Sequence, residues 1–286
     1  MSIDDLEISF NPRLSVPNFE TYLRNSRELA KKAERELNVD INVSYGSSHL
    51  QKLDVFYKKN TKNLPIHIFI HGGYWRALDK SYHSHMALPF IKKGICFFNI
   101  NYDLCPAVKL TEIKNQIIKA IIWIINNAAN FNGNKENIVI SGHSAGAHLA
   151  SLMLSTNWKK YGFAANPLKG VALISGIYET EIIPSLTVNN EIQLSYEEAS
   201  NNNPFKLEPK FIIPTIISFG DDEPEFSKDT LLFLGIEKFL LEMINVSKDI
   251  QTGIYTISVN SFEPKLSFEI AKSITDELQK HQHEYN

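Results

Sequence analysis

The sequence has few cysteines, no long apolar segment and no excess of one charge, and each shortage excludes a class of protein. Only two cysteines, Cys96 and Cys105, occur in 286 residues. They flank a predicted strand, in which each residue advances about 3.3 Å, so we expect them to lie too far apart for a disulfide. No segment reaches the roughly 18 to 20 apolar residues that a membrane-spanning helix needs.

The charge is close to balanced, which argues against a surface that binds polyanions. The formal net charge is −3, with acidic and basic residues interspersed along the chain. Proteins that bind nucleic acid carry a basic face, so we expect neither nucleic acid nor a membrane as a partner. The N-terminal residues MSIDDLEISF are acidic and lack the apolar core of a signal peptide. With two unbridged cysteines, these features favour a reducing, cytoplasmic setting.

Strand-like and helix-like segments alternate after an N-terminal helical extension, residues 1–40. The strand-like segments, in chain order, are INVSYG, LDVFYK, PIHIFIHGG, GICFFNINY, NIVISGHS, GVALISGIY, FIIPTIISFG and IYTISVN. The helical patterns occupy residues 19–38, 80–93, 110–129, 145–156, 224–245 and 264–282. This alternation predicts one α/β domain over residues 1–286, with a mostly parallel central sheet and helices on both faces.

Two segments depart from this alternation. The first two strands are joined too closely for a helical crossover, so we predict that they pair as an antiparallel edge. Residues 178–210 show weak periodicity and include the polar run SNNNPF. A long segment of this kind inside a domain is commonly a lid or a binding loop. We therefore predict a lid-like insertion over these residues.

The segment VISGHSAGAHLASLML contains a G-x-S-x-G pattern, Gly142-His143-Ser144-Ala145-Gly146. It stands directly after a strand-like run and before a helical one, which is the context of a nucleophile elbow. In such an elbow the strand turns sharply into the helix, and the flanking glycines allow neighbouring backbone to pack closely. We predict that Ser144 is a catalytic nucleophile. The N–H of Ala145, at the start of the helix, would face developing negative charge.

A second motif, His71-Gly72-Gly73, follows an apolar strand upstream of the elbow. Glycine residues allow backbone N–H groups to approach a substrate closely, so we predict that Gly72 and Gly73 form an oxyanion hole together with Ala145. A plain Gly-Gly turn is the alternative when the motif is taken alone.

The residues next to these two motifs are candidates for the substrate pocket. His71 would shape the turn, and His143 occupies the variable position before the nucleophile. We expect both to border the pocket, together with Tyr74 and Trp75, which would make it apolar and suited to aromatic groups. Ordinary core packing is the alternative for the two aromatic residues.

The likeness to known sequences extends well beyond these motifs. It runs through the segments FNPRLSVPNFETYL, YGSSHLQKLDVF, HGGYWRALDKS, NYDLCP, GHSAGAHLA, SGIYE and DDEPEF. On these segments, most of residues 10–230, the chain resembles the kynurenine formamidase (arylformamidase) branch of the α/β-hydrolase superfamily. The resemblance implies hydrolysis of carboxylic esters or amides, with N-formylkynurenine or similar formanilides as leading substrates. The resemblance implies no cofactor, and the sequence shows no cluster of metal ligands. A homodimer stays open as an alternative to a monomer.

The resemblance also indicates the acid of a catalytic triad. In α/β-hydrolases an acid and then a histidine follow the serine in chain order. The family's acid-x-x-E-F ending matches the segment DDEPEF so that Asp222 takes the catalytic position. Asp221 and Glu223 are alternatives, and a charge cluster at a helix N-terminus is the non-catalytic interpretation.

The position of the catalytic histidine holds a serine instead. The family phrase Asn-His-Phe matches Asn260-Ser261-Phe262 in this chain. A serine hydroxyl is not a base near neutral pH, and Ser144 is a poor nucleophile unless a neighbour accepts its proton. Of the nine histidines, His148 and the tail residues His281 and His283 are the remaining, weak alternatives.

Three hypotheses follow from this incomplete triad. The first is an active or weakly active hydrolase, with reactive esters as substrates that need little help from a base. The second is a hydrolase-fold pseudoenzyme that binds a small acyl or aromatic ligand without turnover. The third hypothesis is that Ser261 is a lesion or an engineered change in a formamidase. The elbow and the paired glycines favour a site that still holds a ligand.

Overall fold

A nine-stranded sheet lies at the centre of the computed structural model, within the residues that the structure describes. These are residues 3–11, 16, 18–210, 213–220, 244–248 and 254–259. The strands are β1 (Val39–Ser44), β2 (Lys52–Phe56), β3 (Leu64–Ile70), β4 (Cys96–Ile100), β5 (Gly133–His143), β6 (Leu168–Ile174), β7 (Thr215–Gly220), β8 (Ile244–Lys248) and β9 (Ile254–Val259). Their order across the sheet is β1-β2-β4-β3-β5-β6-β7-β9-β8.

The strand directions confirm the predicted α/β class. The five central strands β4, β3, β5, β6 and β7 are mutually parallel. β1 and β2 form the expected antiparallel edge, and β2 is also antiparallel to β4. At the other edge β9 is antiparallel to both β7 and β8. Of the strands described, all except β2 and β9 therefore run in one direction.

The helices are shorter than the sequence patterns predict. They are α1 (Ile3–Phe10), α2 (Phe19–Glu36), α3 (Ala87–Lys92), α4 (Leu110–Asn127), α5 (Ala145–Leu152), α6 (Asn189–Ile192) and α7 (Tyr196–Asn201). Short 3-10 helices cover Lys80–Tyr82, Ser84–Met86, Ala128–Phe131, Trp158–Tyr161, Thr180–Ser185 and Pro204–Lys206.

Two predicted helices require correction. The helix expected over 80–93 divides into two 3-10 turns followed by α3, because Pro89 lacks an N–H and is tolerated only in the first turn of a helix. The helix expected over 224–245 overlaps the start of β8, where Ile244 and Val246 alternate with polar residues at the period of a strand. Residues 224–243, and the helix predicted over 264–282, lie outside the described residues.

The sheet is buried on both faces, as expected for parallel strands covered by helices. Along β4, Phe98 joins the main core cluster, whereas its neighbour Phe97 joins a smaller cluster with Phe56 and Phe69. This division follows from the alternation of side chains along a strand. Helix α4 buries the series Leu110, Ile113, Ile117, Ile121 and Ile124 against the main cluster.

The two cysteines are free thiols in the interior, which confirms that they do not form a disulfide. Burial raises the pKa of the Cys96 thiol to about 11, so this side chain is uncharged and unreactive at neutral pH. Among the helices described, none has the length and apolar character needed to cross a membrane.

Residues 178–210 form short helices that are bonded to the rest of the domain. The N–H of Thr111, in the first turn of α4, donates to the carboxylate of Glu198 at 3.0 Å. The side-chain amide of Asn202 donates to the Thr111 hydroxyl at 2.9 Å. These bonds attach the segment to the start of α4. The lid role of the segment stays a prediction.

Candidate active site

Ser144 stands at the junction of a strand and a helix. β5 ends at His143, and α5 begins at Ala145. Ser144 itself has φ 55° and ψ −122°, a backbone conformation that costs a non-glycine residue about 1–3 kcal/mol. Its N–H donates to the Ile174 carbonyl at 2.8 Å, and its own carbonyl accepts from the His148 N–H at 3.1 Å. This is the geometry of a nucleophile elbow.

Close backbone contacts explain the glycines around the elbow. A Cβ atom at Gly146 would lie 2.1 Å from the Ile70 carbonyl oxygen, so glycine is needed for α5 to approach the end of β3. A Cβ atom at Gly72 would lie 2.8 Å from the His143 carbonyl oxygen and 3.1 Å from the Ser144 Cβ. The second motif therefore lies directly against the elbow, although many residues separate the two in the chain.

The loop of residues 71–78 has an unfavourable backbone over much of its length. Gly73 has φ 115°, and the non-glycine residues Tyr74, Trp75 and Leu78 have φ values of 54°, 56° and 66°. The N–H groups of Arg76 and Ala77 both donate to the Gly73 carbonyl, at 3.1 and 3.0 Å. Such conformations persist only where surrounding contacts hold them.

His71 supports this loop from inside the protein. Its side chain is fully buried, with Nε2 2.9 Å from Asn101 Oδ1 and Nδ1 2.7 Å from the Gly72 carbonyl oxygen. The Tyr102 ring stacks on the imidazole at 4.3 Å, and the Tyr102 hydroxyl donates to the His71 carbonyl at 2.7 Å. Burial lowers the pKa of His71. The residue therefore shapes the turn, rather than lining an open pocket.

The two aromatic residues of the loop also point inward. Trp75 has no exposed surface, and Tyr74 is 8% exposed. Trp75 packs edge-on against the His148 ring at 5.0 Å. This is the core packing that the sequence left open as the alternative to a pocket wall. Among the four residues expected to border the pocket, His143 alone is exposed.

His148 is not positioned as a substitute base. Its side chain is fully buried, and Nε2 lies 2.8 Å from the Asn202 carbonyl oxygen, to which it donates as the Nε2–H tautomer. Burial lowers the pKa of His148 to about 4, which makes the imidazole a weak proton acceptor at neutral pH. The contact joins α5 to the 178–210 segment, in keeping with the packing interpretation. Within the described residues, no imidazole hydrogen-bonds the Ser144 hydroxyl.

Sequence reasoning missed the residues that support the 71–78 loop from β4. Asn101 and Tyr102 follow β4 directly, yet nothing in the chain indicates that they contact His71. Their only sequence signal is their place in the segment NYDLCP, at the carboxyl end of a strand. Residues at this edge of parallel strands commonly contribute to a site.

The remaining candidate residues are outside the part of the chain that the structure describes. These are Asp221, Asp222, Glu223, residues 260–262 with Ser261, and the histidines His281 and His283. Among the residues that are described, no group of three or more histidine, cysteine, aspartate or glutamate side chains could hold a metal ion.

Comparisons with known proteins give a consistent set of relatives. The BD-FAE family matches residues 53–201, a range that includes both the 71–78 loop and the elbow. A kynurenine formamidase from Salmo salar is 32% identical over 246 residues, covering 80% of this chain and 81% of that protein. A kynurenine formamidase from Danio rerio is 29% identical with the same coverage. A solved esterase from Pyrobaculum calidifontis, 16% identical over 82% of this chain and 79% of its own, has the same fold with a TM-score of 0.62.

Proposed function

Because the chain belongs to the kynurenine formamidase family of α/β-hydrolases, we propose that it hydrolyses a carboxylic ester or amide with Ser144 as the nucleophile. Its relatives are kynurenine formamidases and esterases, which supports the hydrolysis of an ester or amide. The proposed substrates are small molecules, with N-formylkynurenine and similar formanilides first.

The observation that carries this proposal is the contact between the elbow and the paired glycines. Ser144 is held at φ 55° at the start of α5, and Gly72 lies against its Cβ. In the proposed reaction the Ser144 oxygen bonds to the substrate carbonyl carbon, and the backbone N–H groups of Gly72, Gly73 and Ala145 stabilise the oxyanion. The bond from the carbonyl carbon to the amine or alcohol then breaks, and the leaving group takes up, through solvent, the proton that the Ser144 hydroxyl has lost. Water hydrolyses the acyl-enzyme, which releases the carboxylic acid and restores the Ser144 hydroxyl.

The acid and the base are proposed from the sequence. β7 ends at Gly220, at the same edge of the sheet as Ser144, and Asp222 follows two residues later in the chain. Ser261 stands in the family's histidine position. Loss of the catalytic histidine lowers the turnover of subtilisin by about 10⁶-fold, equivalent to roughly 8 kcal/mol. An oxyanion hole and substrate positioning alone still contribute about 10³–10⁴ over water, so we propose slow turnover that favours reactive esters.

The second candidate function is ligand binding without turnover. It is favoured by Ser261 together with the fixed orientation of His148, which bonds Asn202 instead of serving Ser144. In this case the site would be that of a pseudoenzyme holding a small acyl or aromatic ligand.

The two functions are separated by hydrolysis assays with p-nitrophenyl acetate and N-formylkynurenine. The wild-type chain is compared with Ser144→Ala and with Ser47→Ala, a matched change at an exposed serine remote in sequence from both motifs. If the proposal is correct, Ser144→Ala alone reduces hydrolysis to background. Equal, near-background rates in all three proteins would favour the binding function.

A further variant, Ser261→His, tests the position of the missing base. We expect it to raise hydrolysis by orders of magnitude, because it restores a proton acceptor at the family's position. An unchanged rate would show that residue 261 is not that position.

We further propose a single domain over residues 1–286 that works in the cytoplasm without a cofactor. The free, buried thiols of Cys96 and Cys105 support a reducing setting. The helical extension of residues 1–40, the lid-like insertion of residues 178–210 and the homodimer belong to the same proposal.

A further inference from the structure

We propose that the N-terminal helix α1 positions the 71–78 loop for catalysis, acting through the hydroxyl of Tyr74. The inference rests on the proposed function, because it assigns a role in the same oxyanion site. Tyr74 would be a positioning residue. α1, which precedes the sheet in the chain and contains neither motif, would help to hold the oxyanion site in place.

The hydrogen bond between Tyr74 and α1 is buried. The Tyr74 hydroxyl donates to the Phe10 carbonyl at 2.6 Å, and it does so across 64 positions of sequence. Phe10 is 5% exposed and belongs to the main core cluster. The last turn of α1 is therefore fixed in the core by the Phe10 side chain. Through Tyr74, the loop is hydrogen-bonded to the backbone of that same residue.

α1 also contacts the 178–210 segment, and that segment in turn contacts the loop. The Glu7 carboxylate accepts from the Thr187 N–H at 2.5 Å and from the Thr187 hydroxyl at 2.7 Å. Arg76, within the loop, forms an ion pair with Glu191 of α6. Each of the three segments, α1, the 71–78 loop and residues 178–210, is therefore bonded to the other two. Displacing α1 would affect the loop directly, through Tyr74, and indirectly, through the 178–210 segment.

The loop needs such support because its backbone is unfavourable. Tyr74 and Trp75 both have positive φ, and Trp75 is held on its other side by a hydrogen bond from the Cys105 N–H at 2.8 Å. A loop in this state relaxes when the contacts that hold it are removed. Relaxation would turn the Gly72 and Gly73 N–H groups away from the developing oxyanion. They stabilise it only when they point at the position that its oxygen occupies.

The test is Tyr74→Phe, with Tyr22→Phe as the matched control. Tyr22 is 62% exposed on α2, so the control removes a hydroxyl of the same kind from the surface. For Tyr74→Phe we expect kcat for p-nitrophenyl acetate to fall about tenfold with KM within about twofold, as for an interaction needed only in the transition state. We also expect faster hydrogen exchange at the amides of Arg76 and Ala77. Tyr22→Phe should match the wild type in all three measurements.

A second variant addresses the other contact of α1. Glu7→Gln weakens the bond to Thr187 without altering the loop itself, and it should shift kcat and exchange in the same direction by a smaller factor. Where the wild type hydrolyses the ester faster than Ser144→Ala does, unchanged kcat or unchanged loop exchange in Tyr74→Phe would overturn the inference. Wild-type kcat and exchange in Glu7→Gln would overturn the second route, which runs through Thr187.

Failure of the proposed function gives a different result. In that case the wild type and Ser144→Ala hydrolyse the ester equally, and hydrogen exchange alone decides the inference. Faster exchange confined to residues 73–78 in Tyr74→Phe would support the positioning of the loop by α1, and exchange equal to that of the control would refute it.

Discussion

Acid should destabilise this protein through His67, a buried imidazole that the proposed mechanism does not use. His67 lies on β3, with Nε2 2.6 Å from the Ser141 hydroxyl and its ring stacked on Phe90 at 4.0 Å. Burial lowers the pKa of His67 from 6.5 to about 4. Between pH 6.5 and pH 4 the unfolded chain binds a proton at His67 that the folded chain does not. His67 therefore leaves the free energy of unfolding unchanged above pH 6.5 and reduces it progressively as the pH is lowered towards 4.

The magnitude follows from the size of the pKa difference. At pH 7.5 the imidazole is neutral in both states and the linkage contribution is close to zero. At pH 4.5 the unfolded state is protonated and the folded state is largely not, so the free energy of unfolding is reduced by about 2.5 kcal/mol, at 1.36 kcal/mol per pKa unit. This is a large share of the roughly 5–15 kcal/mol that stabilises a typical domain.

The assay is urea denaturation at pH 7.5 and 4.5 for the wild type and for His67→Phe combined with Ser141→Ala. The double variant removes the titrating group and its hydrogen-bond partner together, so no buried hydroxyl is left without its partner. Carboxylates and the remaining histidines, including His148, titrate alike in both proteins. We expect the wild type to lose about 2.5 kcal/mol more than the double variant between the two pH values. An equal loss in both would refute the assignment of this pH dependence to His67.

The remaining predictions concern a glycine of the elbow and a buried ion pair. Gly146→Ala should cost at least 1–3 kcal/mol and abolish Ser144-dependent hydrolysis, because the new Cβ would meet the Ile70 carbonyl oxygen at 2.1 Å; wild-type thermal stability and activity would contradict this. Lys80→Met should lower the free energy of unfolding by about 3–5 kcal/mol, since the Asp54 carboxylate, paired with Lys80 Nζ at 2.7 Å, would stay buried without its cation. A loss below about 1 kcal/mol in urea denaturation would show that the pair is dispensable.

The buried ion pair and the His71 network occupy neighbouring parts of the structure. The Lys80 N–H donates to Asn101 Oδ1 at 3.3 Å, and this oxygen also faces His71. The Asn99 side-chain amide donates to the Lys80 carbonyl at 2.7 Å. The Lys80 backbone is thus held to β4 and its carboxyl end by Asn99 and Asn101, and Asn101 is the group that also contacts His71.

The elbow and the α/β class could be predicted from the sequence because both depend on local patterns. An apolar strand, a G-x-S-x-G turn and a helical run are contiguous, so the neighbours of Ser144 in the chain are also its neighbours in space. The antiparallel pairing of β1 and β2 was predictable for the same reason, because a short connection permits no other pairing of neighbouring strands. The resemblance to a known family added predictions of the substrate class, of the catalytic acid and of a serine at the histidine position.

Contacts between distant segments were decided by the tertiary structure alone. The bonds from Tyr74 to Phe10, from His71 to Asn101 and from His148 to Asn202 join residues 64, 30 and 54 positions apart. The periodicity of the sequence cannot predict such contacts, because they depend on how strands and loops are brought together at one edge of the sheet. The same packing turned Tyr74 and Trp75 into the core, since burying an aromatic ring is more favourable than leaving it on an open wall. The sequence by itself therefore determined the strand, turn and helix around Ser144 and predicted its proposed chemistry, and the packed fold determined which side chains hold Ser144 and the 71–78 loop in place.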